Sequence, residues 1–179
     1  MKYFKRVQSQ KKSLIKSFEE KANKKAVTKD RIKIDVMSNL ELSEEVKLVE
    51  DNSDGIGLFR TEYLYMNRDD LPTESEQYQA YKKVFNKLHN KPVTLRTLDI
   101  GSDKEVSENI KVGQIAKNPA LGLRGIRYSL YERNLFKTQI KAMLRAGIKG
   151  NLRILIPMIT SLDEINSAKY LIEEAKQEL

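Results

Sequence analysis

From Ile32 onward, short apolar runs alternate with amphipathic helical segments, and few folds accommodate that alternation. Ile32-Lys33-Ile34-Asp35-Val36-Met37 alternates apolar and polar residues, as a strand does, and a short acidic helix opens at Ser43 with Val46, Leu48 and Val49. A second strand runs from Ile56 to about Phe59; the helix after it carries Tyr78, Tyr81, Val84, Phe85 and Leu88 on one face. The third strand is Val93–Leu98, with Leu135, Phe136, Ile140, Met143 and Leu144 on its helix, which Gly147 or Gly150 stops. The fourth is Leu152–Ile156, followed by Ile165, Ala168, Leu171, Ile172 and Ala175. Three pairs have capping-box spacing at helix starts: Thr73 with Glu76, Ser129 with Glu132, and Ser161 with Glu164. Four strand–helix units in succession predict an α/β fold with a parallel sheet and right-handed crossovers.

In parallel α/β folds the functional groups gather at the carboxyl ends of the strands. The second and third strands end alike, as Phe59-Arg60-Thr61-Glu62 and Leu95-Arg96-Thr97-Leu98-Asp99. If these strands are neighbours, Arg60 and Arg96 stand side by side at one end of the sheet. Two guanidiniums over one crevice suit a doubly anionic small molecule. The competing reading is structural: each arginine pairs locally with Glu62 or Asp99. A long polar loop, Gly101 to about Leu121, follows the third strand, and a connector of that length is functional or mobile.

Composition removes several chemistries. The sequence has no cysteine, hence no disulfide, thiolate metal site or thiol nucleophile, which fits a reducing compartment. It has one histidine, His89, at a helix end where a cation suits the dipole, so a capping role is favoured over a catalytic one. There is no Gly-rich phosphate loop, no zinc-type ligand spacing and no Ser/His/Asp arrangement. No apolar run approaches the roughly 18–20 residues of a membrane span, and the charged N-terminus lacks a signal core.

The net charge of +8 is concentrated at the N-terminus: residues 1–33 hold twelve Lys or Arg against three Asp or Glu. Phe4, Val7, Leu14, Ile15, Phe18 and Ala22 recur at helical spacing there, which predicts a helix over 2–24 with a narrow apolar stripe. Aromatic residues are not interleaved as stacking platforms, so a Lys-rich solvated helix is favoured over a nucleic-acid arm.

Several strings, in order, resemble enzyme I of the bacterial sugar phosphotransferase system, the phosphoenolpyruvate-protein phosphotransferase family. They are Gly55-Ile56-Gly57-Leu58-Phe59-Arg60-Thr61-Glu62-Tyr63-Leu64-Tyr65-Met66, Leu71-Pro72-Thr73-Glu74-Ser75-Glu76-Gln77-Tyr78 and Arg96-Thr97-Leu98-Asp99-Ile100-Gly101-Ser102-Asp103-Lys104. Ser102 stands where that family has glycine. Residues 118–127, Ile154-Leu155-Ile156-Pro157-Met158-Ile159 and Lys25-Ala26-Val27-Thr28-Lys29-Asp30 are also similar. Pyruvate phosphate dikinase and phosphoenolpyruvate synthase share a related barrel, but these strings favour enzyme I.

The resemblance implies a partial TIM-type (β/α) barrel of about four units. Residues 1–30 would be a linker-type helix and residues 31–179 the N-terminal half of a phosphoenolpyruvate-binding (β/α)8 barrel. Arg60 and Arg96 would hold the phosphate of phosphoenolpyruvate, with Lys104 and Arg124 as further candidates for that pocket. The family uses Mg2+, and by this match its ligands, the phosphorylated histidine and the remaining catalytic groups fall outside the chain, which would be inactive alone. Its partners would be phosphoenolpyruvate, the missing remainder of enzyme I or a complementing chain, and the phosphocarrier protein, all in the cytoplasm. A half-barrel leaves two strand edges open, so marginal stability, association or completion by a second chain is expected. The runner-up is a non-catalytic interaction protein that uses its basic helix.

Overall fold

A computed structural model of the chain describes Lys11 and residues 25–49, 51–100 and 122–179. The expected helix over 2–24 and the loop carrying Lys104 therefore lie outside the described residues, apart from Lys11, which is helical. The rest is mixed α/β, built on a parallel four-stranded sheet.

The strands are β1 (Ala26–Val27), β2 (Lys33–Ile34), β3 (Ser38–Leu40), β4 (Ile56–Arg60), β5 (Pro92–Arg96) and β6 (Asn151–Leu155). The helices are α1 (Val46–Val49), α2 (Glu74–Leu88), α3 (Ile126–Tyr131), α4 (Arg133–Gly147) and α5 (Leu162–Gln177), with 3-10 turns at Ser43–Glu45 and Thr61–Leu64. Strands β3-β4-β5-β6 lie side by side in sequence order and run parallel. This arrangement is consistent with part of an α/β barrel.

The sheet has two unlike faces, by alternation along β5 and β6 and, in β4, across a register irregularity between Ile56 and Phe59. Leu40, Ile56, Phe59, Val93 and Leu95 are buried, and they share one core with Tyr81, Val84, Phe85 and Leu88 of α2 and Phe136, Ile140 and Met143 of α4. Ala168, Leu171 and Ala175 of α5 close it at the β6 side. The opposite positions stay open among the described residues: Asn39, Arg153 and Leu155 are exposed, while Leu58, Arg60, Thr94 and Arg96 are half-buried. Among the described residues, helices thus cover one face and leave the arginine-bearing face uncovered.

Two expectations are corrected. The strand expected over Ile32–Met37 is not the first strand of the sheet. Only Lys33–Ile34 is extended in a ladder, and it pairs antiparallel with Ala26–Val27 in a hairpin. The turn at Thr28–Arg31 folds it back, with Thr28 N–H donating to Ile32 C=O at 2.9 Å and Arg31 at a φ of 66°. The alternation does not mark a core face, because Ile32, Ile34 and Val36 are all about half exposed. Strand β3 begins where the chain meets Gly55, with Ser38 N–H donating to Gly55 C=O at 3.0 Å.

The capping box expected at Ser129 and Glu132 does not form. Ser129 lies inside α3, fully buried, and its Oγ has no hydrogen-bond partner among the described residues. A helix has already started upstream at Gly125, where φ is 56° and a Cβ would stand 2.8 Å from Met158 Cγ. Glycine is required there. The N–H of Ile126 donates to Pro157 C=O at 3.2 Å, pinning that start against the end of β6.

The other two capping boxes form as expected. Thr73 accepts from Glu76 N–H, and Glu76 accepts from Thr73 N–H at 2.7 Å; Ser161 and Glu164 do the same for α5. The Thr73 contacts, with Arg68 adding its charge, hold the Glu76 carboxyl down at about 2. A depressed carboxyl contributes stability that is present above its unfolded value and lost as pH falls through the folded one. Thr73→Ala is expected to cost about 1 kcal/mol at neutral pH. Urea denaturation along a falling pH series should show that cost shrinking between the ordinary carboxylate range and about 2.

Candidate functional site

Strand register settles the relation between the two arginines. Arg60 and Arg96 are direct partners across β4 and β5, at the carboxyl end of each, and Leu155 of β6 continues the row. Parallel neighbours in register project to the same side, so both side chains leave from the uncovered face.

A buried amide ties these strand ends together. Gln139, fully buried on α4, donates through Nε2 to Thr61 Oγ1 at 3.0 Å and accepts at Oε1 from Leu98 N–H at 2.9 Å. Thr61 Oγ1 in turn donates to Arg96 C=O at 2.8 Å. The residues after each arginine are therefore fixed to one helix, and this sets where the arginines stand.

Each arginine meets a carboxylate. Arg60 Nη1 lies 2.6 Å from Glu41 Oε1, with the two side chains 42% and 38% exposed. Arg96 donates through Nε at 3.1 Å and Nη2 at 2.7 Å to Glu62 Oε1, and its Nη1 lies 3.6 Å from Asp99 Oδ2. Asp99 Oδ1 accepts from Arg124 Nε at 2.9 Å. The local-pairing reading thus holds for Arg96, which meets both Glu62 and Asp99. Arg60 meets neither; its partner follows β3, the neighbouring strand. Glu41 was not foreseen, although its place just past the end of an adjacent strand was the available signal.

Three of the four candidate residues come together: Arg60, Arg96 and, through Asp99, Arg124. Lys104 lies outside the described residues. His89 caps the end of α2, its backbone N–H donating to Phe85 C=O at 3.1 Å, and it precedes the amino end of β5 whereas Arg96 stands at the carboxyl end. Behind the site, Tyr65 and Tyr81 hydroxyls both donate to Gln77 Oε1, at 3.0 and 3.2 Å. Burial pushes both phenols up, and the nearby Glu62 charge adds to the shift. They remain neutral donors and stiffen the floor beneath Glu62.

The arrangement can hold an anion between two forked cations. It does not compose a metal centre: no group of three or more His, Cys, Asp or Glu gathers among the described residues. Glu41, Glu62 and Asp99 each already face a guanidinium. No helix of the described residues is long and apolar enough to cross a membrane.

Residues 16–179 match the family described as PEP-utilising enzyme, PEP-binding domain. Curated relatives named phosphoenolpyruvate-protein phosphotransferase are similar over most of the chain. That of Priestia megaterium is 44% identical over 158 residues, 88% of this chain and 27% of the relative. That of Bacillus subtilis is 44% identical over 160 residues, again 88% and 27%. That of Mycoplasma capricolum is 47% identical over 155 residues, 86% and 26%. The chain thus spans about a quarter of the length of the curated relatives it matches. These names favour the phosphotransferase over the dikinase or synthase. With a family match over nearly its whole length, the chain belongs to the PEP-utilising enzymes, in their PEP-binding domain.

Proposed function

We propose that this chain supplies the arginine side of the phosphoenolpyruvate site of a phosphoenolpyruvate-protein phosphotransferase. The observation that carries the reading is the register pairing of Arg60 with Arg96 on the uncovered face of a parallel sheet. The two guanidiniums hold the phosphate and offset charge as the phosphoryl group leaves, since phosphoryl transfer depends on positioning and electrostatics. Arg124 borders the same pocket, and Lys104 is a further candidate for it. The sheet belongs to a (β/α)8 barrel whose other strands cover the open face and bring Mg2+ and its carboxylates. Residues 31–179 form that barrel portion, and residues 1–30 lead into it. The phosphoryl group then passes to a histidine on another domain and on to the phosphocarrier protein, in the cytoplasm.

Phosphoenolpyruvate titrated into the purified chain, followed by nuclear magnetic resonance of the arginine side chains, tests the reading. Arg60→Ala is expected to weaken binding about tenfold or more, since a charge-assisted hydrogen bond contributes about 1.5–3 kcal/mol. Its melting temperature should barely move, because an exposed ion pair contributes about 0–1 kcal/mol. Unchanged affinity in Arg60→Ala would remove that residue from the site. Phosphoryl transfer should appear only when complementary fragments are added.

A further inference from the structure

Glu62 differs from the other two carboxylates at the strand ends. Glu41 opens to water with Arg60, and Asp99 is shared between Arg96 and Arg124. Glu62 is 1% exposed and sits in the 3-10 turn directly behind Arg60 and Thr61. Its Oε1 alone takes three donors: Arg96 Nε, Arg96 Nη2 and, at 3.1 Å, Asp99 N–H. Its Oε2 has no hydrogen-bond partner among the described residues. A carboxylate this buried is costly to keep charged, and the fold retains it against one guanidinium.

The geometry of that contact is specific. A guanidinium has a side edge, Nε with Nη2, and an end fork, Nη1 with Nη2. Glu62 occupies the side edge. One Nη2 hydrogen and both Nη1 hydrogens remain, and one from each nitrogen forms the end fork that suits two oxygens of a phosphate. On that side Asp99 Oδ2 stands at 3.6 Å from Nη1, too far for a hydrogen bond.

We infer that Glu62 is a positioning residue: it grips the side edge of Arg96 so that the end fork faces the phosphate. This rests on the reading of Arg60 and Arg96 as the phosphate-holding pair and says how one of them is aimed. The same Oε1 fixes the Asp99 backbone, so Arg96, Asp99 and Arg124 are placed by one atom. Glu62 could act otherwise, as a plain counter-charge. A counter-charge repels phosphate, so removing it tightens binding, and moving it slightly changes little. A positioning carboxylate gives the reverse order of effects.

The test uses the nitrogen-15-labelled chain, with phosphoenolpyruvate titrated against the Arg96 Nε–H signal, assigned by its disappearance in Arg96→Lys. Glu62→Asp keeps the charge and draws the carboxylate back by one methylene. It is expected to weaken binding about tenfold, as for loss of one charge-assisted hydrogen bond. The Arg96 Nε–H should also exchange with water about tenfold faster as its pinned partner recedes. Glu62→Gln removes the charge but keeps an acceptor oxygen for Arg96 and Asp99, with the amide nitrogen in place of the unpartnered oxygen, so the aim is kept and binding should stay within about threefold of the parent. Wild-type affinity in Glu62→Asp, or tighter binding in Glu62→Gln with Glu62→Asp unchanged, overturns the inference. If Glu62→Asp does not fold, Arg96→Lys decides, because it keeps the charge but has no fork; equal binding there also overturns it. Failure of the underlying reading looks different: the parent chain would show no shift with phosphoenolpyruvate, or Arg60→Ala and Arg96→Ala would both bind as it does.

Discussion

Arg96→Met is expected to abolish phosphoenolpyruvate binding and to destabilise the fold together. The side chain is 18% exposed and its partner Glu62 1%. Removing one partner of a buried ion pair leaves the other uncompensated, which costs about 3–5 kcal/mol. Against a total stability of about 5–15 kcal/mol for a typical domain, that is a large share. Urea denaturation should show the loss directly. The double variant Arg96→Met with Glu62→Leu separates the two effects. It removes both charges, so most of the stability should return, while phosphoenolpyruvate affinity stays lost because the fork is gone. Arg60→Ala is the contrast: its pair with Glu41 is open to water, so affinity should fall and the denaturation midpoint hold. If Arg96→Met is as stable as the parent, the Arg96–Glu62 pair does not hold the strand ends.

Much of this site was legible because it rests on local pattern. Phe59-Arg60-Thr61 and Leu95-Arg96-Thr97 repeat one arrangement at two strand ends, and a parallel sheet in sequence order places such repeats in register. The helices were legible where a side chain and a backbone amide three residues apart decide the start, as at Thr73 and Ser161. Ser129 has the same spacing and misleads, because Gly125 starts a helix four residues earlier and carries Ser129 into the interior. That start depends on the Pro157 carbonyl, which is distant in sequence. Ile32–Met37 misleads for a related reason: alternation reports a strand's two faces only when one of them is buried, and Ile32, Ile34 and Val36 are not. Glu41 and Gln139 are hard to read as partners. Gln139 acts from a helix far along the chain, and Glu41 acts across strands, marked only by its place just past the end of β3.

Phe59→Ala should produce a loss of similar size by a different route. The Phe59 ring is fully buried between the sheet and α2, edge-on to Tyr81 with centroids 6.1 Å apart and planes at 89°. Truncation removes the transfer energy of the ring and leaves a cavity, together about 3–5 kcal/mol. Loss of the edge-to-face pair lies within that figure or adds about 0.5–1.5 kcal/mol. Phe59 is also the residue before Arg60, paired with Leu40 on one side and Leu95 on the other. Its ring anchors the covered face of β4 at the point where the arginine leaves the opposite face. Loosening that anchor should let the Arg60 end of β4 drift, so phosphoenolpyruvate affinity falls along with stability. Phe59→Leu, which keeps most of the volume, should cost less than about 1.5 kcal/mol and leave affinity near the parent's. Denaturation midpoints and phosphoenolpyruvate titrations of the two variants should therefore fall in the same order. A Phe59→Ala chain with the parent's stability would mean that β4 is not packed against α2 in solution; one with lost stability but full affinity would mean that Arg60 is aimed without its neighbour.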